Sequence, residues 1–200
     1  MPRNVLIGLM ATALVTALAV TALPFLLQRP ELQAATPIEG GAALPEVTLT
    51  DQDGEPFVFG DTEGRHQLVF FGYINCPDVC PLTLGRLGQA LQQMGSNASQ
   101  VQVVFVSVDP ERDSLERLRT HVSTFGPEFV GVTGLDEQLQ EVTSAFGVYY
   151  EKVESDSASG YLMSHSSHVT VVDPAGRIRA IFPFEANSQA IAADMRVLVK

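Results

Sequence analysis

The chain has 200 residues, 46% of them hydrophobic and 18% charged, which supports one folded domain of ordinary size and excludes an intrinsically disordered chain. Twelve Lys and Arg against 23 Asp and Glu give a net charge of −11, which repels a polyanionic backbone, and with no Trp there is little surface for stacking bases; no nucleic-acid partner is expected. Two cysteines exclude, by counting, both a multi-bridge disulfide scaffold and a four-cysteine zinc site.

From Val5 to Leu27 no residue is charged. A helix over this run spans roughly 34 Å, enough for a bilayer's hydrocarbon core of about 30 Å. Arg3 precedes the run and Glu31, Glu39 and Glu46 follow it, so the positive-inside bias predicts a cytoplasmic start and a bulk lying outside. Residues 1–27 therefore read as a single N-terminal transmembrane anchor. A cleaved signal peptide is the alternative, although the run is long for an h-region of about 7–15 residues. Residues 28–43 contain Pro30, Pro37, Gly40 and Gly41 and read as a linker, which leaves 44–200 as the folded domain in a compartment that permits disulfides.

Glu46 to Thr50 and Pro56 to Phe59 flank Asp51-Gln52-Asp53-Gly54, which predicts an N-terminal β-hairpin. Gln67 to Tyr73 and Val101 to Asp109 are nearly continuous apolar runs, the pattern of strands covered on both faces. Leu84, Leu87, Leu91 and Met94 recur between them at helical spacing, giving a right-handed crossover between parallel strands. A second helix opens at Ser114 with the stripe Leu115, Leu118, Val122 and Phe125, and Phe129 to Thr133 is a short strand. Asp136 is the expected cap of a third helix that Gly147 ends; Val148 to Val153 is another strand, followed by a Ser-rich loop from Glu154 to Gly160. His168 to Val172 and Arg177 to Phe182 form a hairpin about Asp173-Pro174-Ala175-Gly176, and Ser188 to Leu198 closes with a helix. Parallel crossovers first and a hairpin later is the order of a thioredoxin-like α/β sandwich.

The chemistry concentrates in Asn75-Cys76-Pro77-Asp78-Val79-Cys80-Pro81, between the first buried strand and the first helix. With Pro81 at the first helical position, Cys80 falls at the cap, and both sulfurs sit in the positive end of the helix dipole, which favours thiolate. A disulfide closing so short a loop restrains the unfolded chain by only roughly 2 kcal/mol, so a purely structural staple is a poor use of the pair. Three residues between the cysteines place both sulfurs on one side of a turn, like an i, i+4 pair, where they can chelate. Two soft thiolates with one imidazole suit Cu(I) and can accept Cu(II), whereas Zn(II) usually wants a fourth ligand. Among the histidines, His66 and His121 read as surface or packing residues. His165 and His168 lie where a loop enters a late strand; three apart in an extended segment, they face opposite sides, so only one can reach a metal. Met163 is a candidate soft ligand that reads better as a packing residue.

These residues resemble the Sco/SenC family of membrane-anchored copper chaperones with a thioredoxin-like fold. The resemblance runs from about Leu44 to Lys200 and rests on Phe71-Gly72-Tyr73 followed by Cys76 to Pro81, on Val108-Asp109-Pro110-Glu111-Arg112-Asp113, on the segment around His165, and on Val172-Asp173-Pro174 with Gly176. It implies Cys76, Cys80 and His165 as copper ligands, for Cu(I) or Cu(II). It implies delivery of copper to the dinuclear site of cytochrome c oxidase subunit II or another copper-accepting protein, from a domain anchored on the periplasmic side of a bacterial-type inner membrane. Asp109 falls at the family's acidic position near the site, where it either orients loops or caps a strand end. Ser164 stands where many members carry Asp before the ligand histidine, which removes a charge-assisted contact. A thiol–disulfide reductase using Cys76 and Cys80, with the histidine incidental, is the competing reading, and enzymatic activity stays open between the two. Peroxide removal is a weaker third possibility.

Overall fold

The computed structural model describes residues 31–41, 43–155 and 160–200. The predicted anchor lies outside the described residues; among those described, no helix is long and apolar enough to cross a membrane.

An eight-stranded sheet runs in the order β1 (Thr36–Pro37), β10 (Ile178–Phe182), β9 (Val169–Val172), β4 (His66–Gly72), β5 (Val101–Ser107), β6 (Phe129–Thr133), β2 (Thr48–Asp51), β3 (Pro56–Val58). The central strands β4, β5 and β6 are parallel, and the other pairings are antiparallel. Among the described residues three α-helices lie between strands, α1 (Val79–Met94), α2 (Leu115–Ser123) and α3 (Asp136–Ala145), and a fourth, α4 (Ser188–Leu198), follows β10. A separate two-stranded sheet pairs β7 (Tyr150–Glu154) with β8 (Tyr161–His165). This is the mixed α/β, thioredoxin-like architecture expected from the sequence.

The central strands are apolar throughout because both of their faces are covered. Leu68, Phe70, Val103 and Phe105 pack with Leu84 and Leu87 of α1, Leu118 of α2 and Met195 of α4. Their neighbours Val69, Phe71, Val104 and Val106 point the other way, onto Leu139 and Val142 of α3 and onto Phe59, the last residue of the predicted hairpin. That hairpin is β2–β3, joined to the sheet through β6; Asp51 Oδ1 accepts the amides of Asp53 and Glu55, and Gly54 takes φ 88°, where an L side chain is strained.

Several boundaries differ from those expected. Helix α1 begins at Val79 with Asp78 as its cap residue, so Cys80 and Pro81 are its second and third residues. Proline fits anywhere in a first turn, where N–H groups have no intrahelical partner, so Pro81 did not mark the start. Asp136 is the first residue of α3 and Leu135 the cap; the Gln138 side chain accepts the Leu135 amide at 2.8 Å. The segment carrying His165, read as a loop, is strand β8, and the Ser-rich stretch joins it to β7.

The latter part of the segment read as linker lies along the domain. Thr36 and Pro37 pair with Ile181 and Ala180, and the buried carboxylate of Asp194 in α4 accepts the amides of Gln33, Ala34 and Ala35 at 2.6, 2.9 and 2.8 Å. Composition registers the prolines and glycines but not an acceptor some 160 positions later. Asp194→Ala removes the acceptor of all three amides and is expected to destabilise the domain by about 1–3 kcal/mol. Urea denaturation checks this, and hydrogen exchange should accelerate over residues 33–38 first.

Candidate metal centre

Strands β4 and β5 run in step, with Gly72 opposite Ser107, so the loops that follow them leave the sheet side by side. Asp113, 1% exposed, ties the two together: its Oδ2 accepts the Ile74 amide at 2.9 Å and the Ser107 hydroxyl at 2.6 Å. Burial raises the Asp113 carboxyl above its ordinary range, offset in part by those two donors. Arg117 of α2 donates to the Asn75 side chain at 2.8 Å, and the Cys76 amide returns to the Tyr73 carbonyl at 3.3 Å. The loop that presents the first sulfur is thereby held from both ends.

Cys80 is fully buried and its sulfur sits over Gly72 at the end of β4. A Cβ at position 72 would lie 2.7 Å from that sulfur and 3.0 Å from the Phe105 ring, so the seat exists because the residue there is glycine. Cys76 is half-buried, and its sulfur accepts the Cys80 amide at 3.4 Å. Both thiols are free. The third donor comes from the outer hairpin: His165 Nε2 is 3.5 Å from the Cys80 sulfur, and its Nδ1–H donates to the Ser166 carbonyl at 2.9 Å. That bond directs the unprotonated nitrogen toward the sulfurs, the tautomer a metal ligand needs. The imidazole meets the rings of Phe70 and Tyr73 nearly edge-on, each at 6.0 Å between centroids.

The three donor atoms lie within 4.8 Å of one another. A metal bonded at about 2.0–2.3 Å brings its ligands to about 3.5–4 Å apart, so a small contraction would complete the site. The thiols are unequal. The Cys80 thiol's hydrogen bond to the Cys76 sulfur lowers Cys76 to about 3 against the opposing effect of burial. The same contact and deep burial push Cys80 up. Cys76, at the mouth of the site, is thus the more acidic of the two thiols, and Cys80, at its floor, the less. Beside the site lies a groove of about 510 Å³, lined chiefly by Tyr73, Pro77, Val79, Leu162, Met163 and His165.

All three predicted ligands converge. His168 is not part of the cluster; it is half-buried, and burial lowers its pKa. Met163 packs against the cores and lines the groove. His66 opens β4, and His121 packs between Phe105 and Phe125, with centroids 5.4 and 5.3 Å away. Ser164 is exposed on β8, opposite Glu151. Asp109 is 2% exposed and paired with Arg112 at 2.5 Å rather than with the donors. The reading of the sequence gave no role to Gly72, Tyr73, Arg112 or Tyr161; the first three stand inside the motifs quoted for the resemblance, which was the available signal.

The SCO1/SenC family model matches residues 36–200, and the chain belongs to that family. An SCO2-like protein of Rickettsia prowazekii is 34% identical over 144 residues, 72% of this chain and 70% of the relative. The structure of Bradyrhizobium japonicum ScoI with copper bound matches with a TM-score of 0.70 and 34% identity, covering 78% of this chain and 98% of that one. Arabidopsis thaliana ScoI with copper bound matches at 0.72 with 28% identity, over 79% and 97%.

Gly72→Ala is expected to lift the Cys80 sulfur from its seat, costing about 1–3 kcal/mol in denaturant unfolding and exposing that thiol to alkylation. Gly85→Ala, whose added Cβ meets nothing within 4 Å, is the control and should do neither. In the unaltered protein, iodoacetamide should label Cys76 even in mildly acidic solution, where an ordinary thiol of pKa about 8.5 no longer reacts. Peptide mapping should find Cys80 unlabelled until the chain is unfolded.

Proposed function

We propose that this protein is a copper carrier that holds one ion between Cys76, Cys80 and His165 and passes it to a copper-accepting protein, the dinuclear site of cytochrome c oxidase subunit II in the first instance, during oxidase assembly. The observation that carries the reading is the convergence of two sulfurs and one imidazole nitrogen within 4.8 Å. Two thiolates and an imidazole form a soft three-donor set that suits Cu(I) and accepts Cu(II), while leaving a position through which an incoming ligand can enter. The groove beside the donors leaves room for such a ligand, and two ScoI relatives have copper-bound structures. Transfer then proceeds by exchange of ligands, one donor at a time, with Cys80 at the floor the last to let go. The apolar run from Val5 to Leu27 tethers the domain to the inner membrane, on the periplasmic side where the acceptor is assembled.

A second reading has its own support in the asymmetry of the thiols. A half-exposed thiolate with a buried thiol behind it is the arrangement of a disulfide reductase. Cys76 attacks a partner disulfide and releases one partner thiolate. Cys80 then loses its proton and displaces the second, so the partner gains two electrons while the pair becomes a disulfide.

One experiment on the purified, reduced chain separates the two. The carrier reading expects near-stoichiometric copper uptake, with the metal's absorption and paramagnetic spectra changed by His165→Ala and binding lost in Cys76→Ser and Cys80→Ser. Unchanged spectra in His165→Ala would overturn the ligand set. Reduction of a partner disulfide that proceeds equally well in His165→Ala, with no stoichiometric copper uptake, would favour the reductase.

A further inference from the structure

The His165 donor rides on the β7–β8 hairpin, which pairs only with itself and stands outside the eight-stranded sheet. Strand β7 is almost wholly exposed and β8 is half-covered, so little core packing holds the hairpin in place. What binds it is polar and aromatic, and it centres on Arg112 in the loop after β5. The Arg112 guanidinium lies 3.5 Å from the Tyr161 ring centroid, and its Nη1 donates to the Tyr161 carbonyl at 2.9 Å. The Tyr161 hydroxyl donates to Asp109 Oδ1 at 2.8 Å, with Glu111 Oε2 3.2 Å away, and Asp109 Oδ2 accepts from Arg112 Nε at 2.5 Å. Lys152 of β7 closes the cluster from above, with its ammonium 3.0 Å from Glu111 and 3.9 Å from the Tyr161 ring centroid.

The other end of β8 meets the same guanidinium through one intermediary. Arg112 lies 5.7 Å from the ring centroid of Tyr73, and the Tyr73 ring abuts His165. Tyr73 also supplies the carbonyl that holds the Cys76 amide. A single cation thus touches the strand that carries the nitrogen donor and the residue that shapes the loop of the sulfur donors. The Arg112–Asp109 pair is largely shielded from water, with side chains 16% and 2% exposed, so it is a firmer anchor than a surface ion pair.

We propose that Arg112 and Tyr161 are positioning residues that clasp the outer hairpin to the Asp109–Arg112 loop and so set the reach of His165 to the two sulfurs. The proposal rests on the copper-carrier reading, since it concerns a ligand of that site. Tyr161 opens β8 and His165 ends it, so loosening the first swings the second while leaving Cys76, on the loop that Asp113 and Arg117 hold, and Cys80, in α1, where they are.

The test compares Tyr161→Leu, Tyr161→Phe and Arg112→Lys with His165→Ala in the full chain. Tyr161→Leu removes the ring from the guanidinium, Tyr161→Phe removes only the hydroxyl, and Arg112→Lys keeps the charge but loses the planar, stacking group. Copper release to a chromophoric chelator is expected to accelerate about tenfold in Tyr161→Leu and Arg112→Lys and less in Tyr161→Phe, with the Cu(II) paramagnetic spectrum shifting toward that of His165→Ala. Tyr161→Leu placed on His165→Ala should add nothing, because the ligand it positions is gone. In the metal-free chain, Tyr161→Leu should also move the His165 ring proton resonances as the imidazole leaves the edge of Tyr73. An additive double variant, or an unmoved His165 resonance with unchanged copper release, would overturn the proposal. Should His165→Ala itself leave the copper spectrum unaltered, the ligand assignment fails, and the resonance shift alone then decides whether the clasp exists.

Discussion

The site depends on the parallel, in-step pairing of β4 with β5. Because Gly72 stands opposite Ser107, two loops emerge at one level of the sheet, and one buried carboxylate, Asp113, can hold both. Parallel pairing also requires a crossover, and that crossover is α1, whose first turn returns to the same end of the sheet. The Cys80 sulfur therefore lands on Gly72, the one residue of β4 without a side chain to exclude it. A slip of one residue in β4 would send Leu68 and Phe70 to the layer now occupied by Val69 and Phe71, and the sulfur would meet a phenyl ring instead of a glycine.

On this floor the three donors are held with different rigidity. Cys80 is buried in the core, Cys76 lies on a loop pinned by Asp113 and Arg117, and His165 sits at the tip of a peripheral strand. For the copper carrier proposed above such a gradient is useful, because the donor on the peripheral hairpin can leave without disturbing the core. The acidity of the thiols follows the same order, with the pKa lowered at the sulfur nearest the groove and raised at the sulfur beneath it.

The parts legible in the sequence share a physical cause. Strands β4 and β5 are covered on both faces and so read as unbroken apolar runs, and α2 opens with Ser114, whose side chain accepts the Arg117 amide as a capping residue should. Strand β7 was legible, read at Val148 to Val153 and found at Tyr150 to Glu154, whereas its partner β8 gave no such signal, because Tyr161 to His165 is only half-covered and its alternation has little core to report. The strap from Gln33 to Pro37 was hidden for a different reason. Its order comes from Asp194 and from an edge strand formed late in the chain, and local composition carries no trace of either.

The sequence alone determined the donors' chemical character, since cysteine spacing and a short count of histidines leave few soft ligand sets, and it determined the succession of strands and helices through their periodicity. The motif resemblance already singled out His165 among the histidines, whereas tertiary structure alone decided how near its ring stands to the sulfurs, which thiol is the more acidic, and what steadies the arm that brings the imidazole in. Those outcomes turn on groups far apart along the chain, 85 positions between Cys80 and His165 and 49 between Arg112 and Tyr161. Periodicity and capping report only a residue's near neighbours, whereas coordination, burial and charge pairing act between whatever side chains the fold brings within a few ångströms.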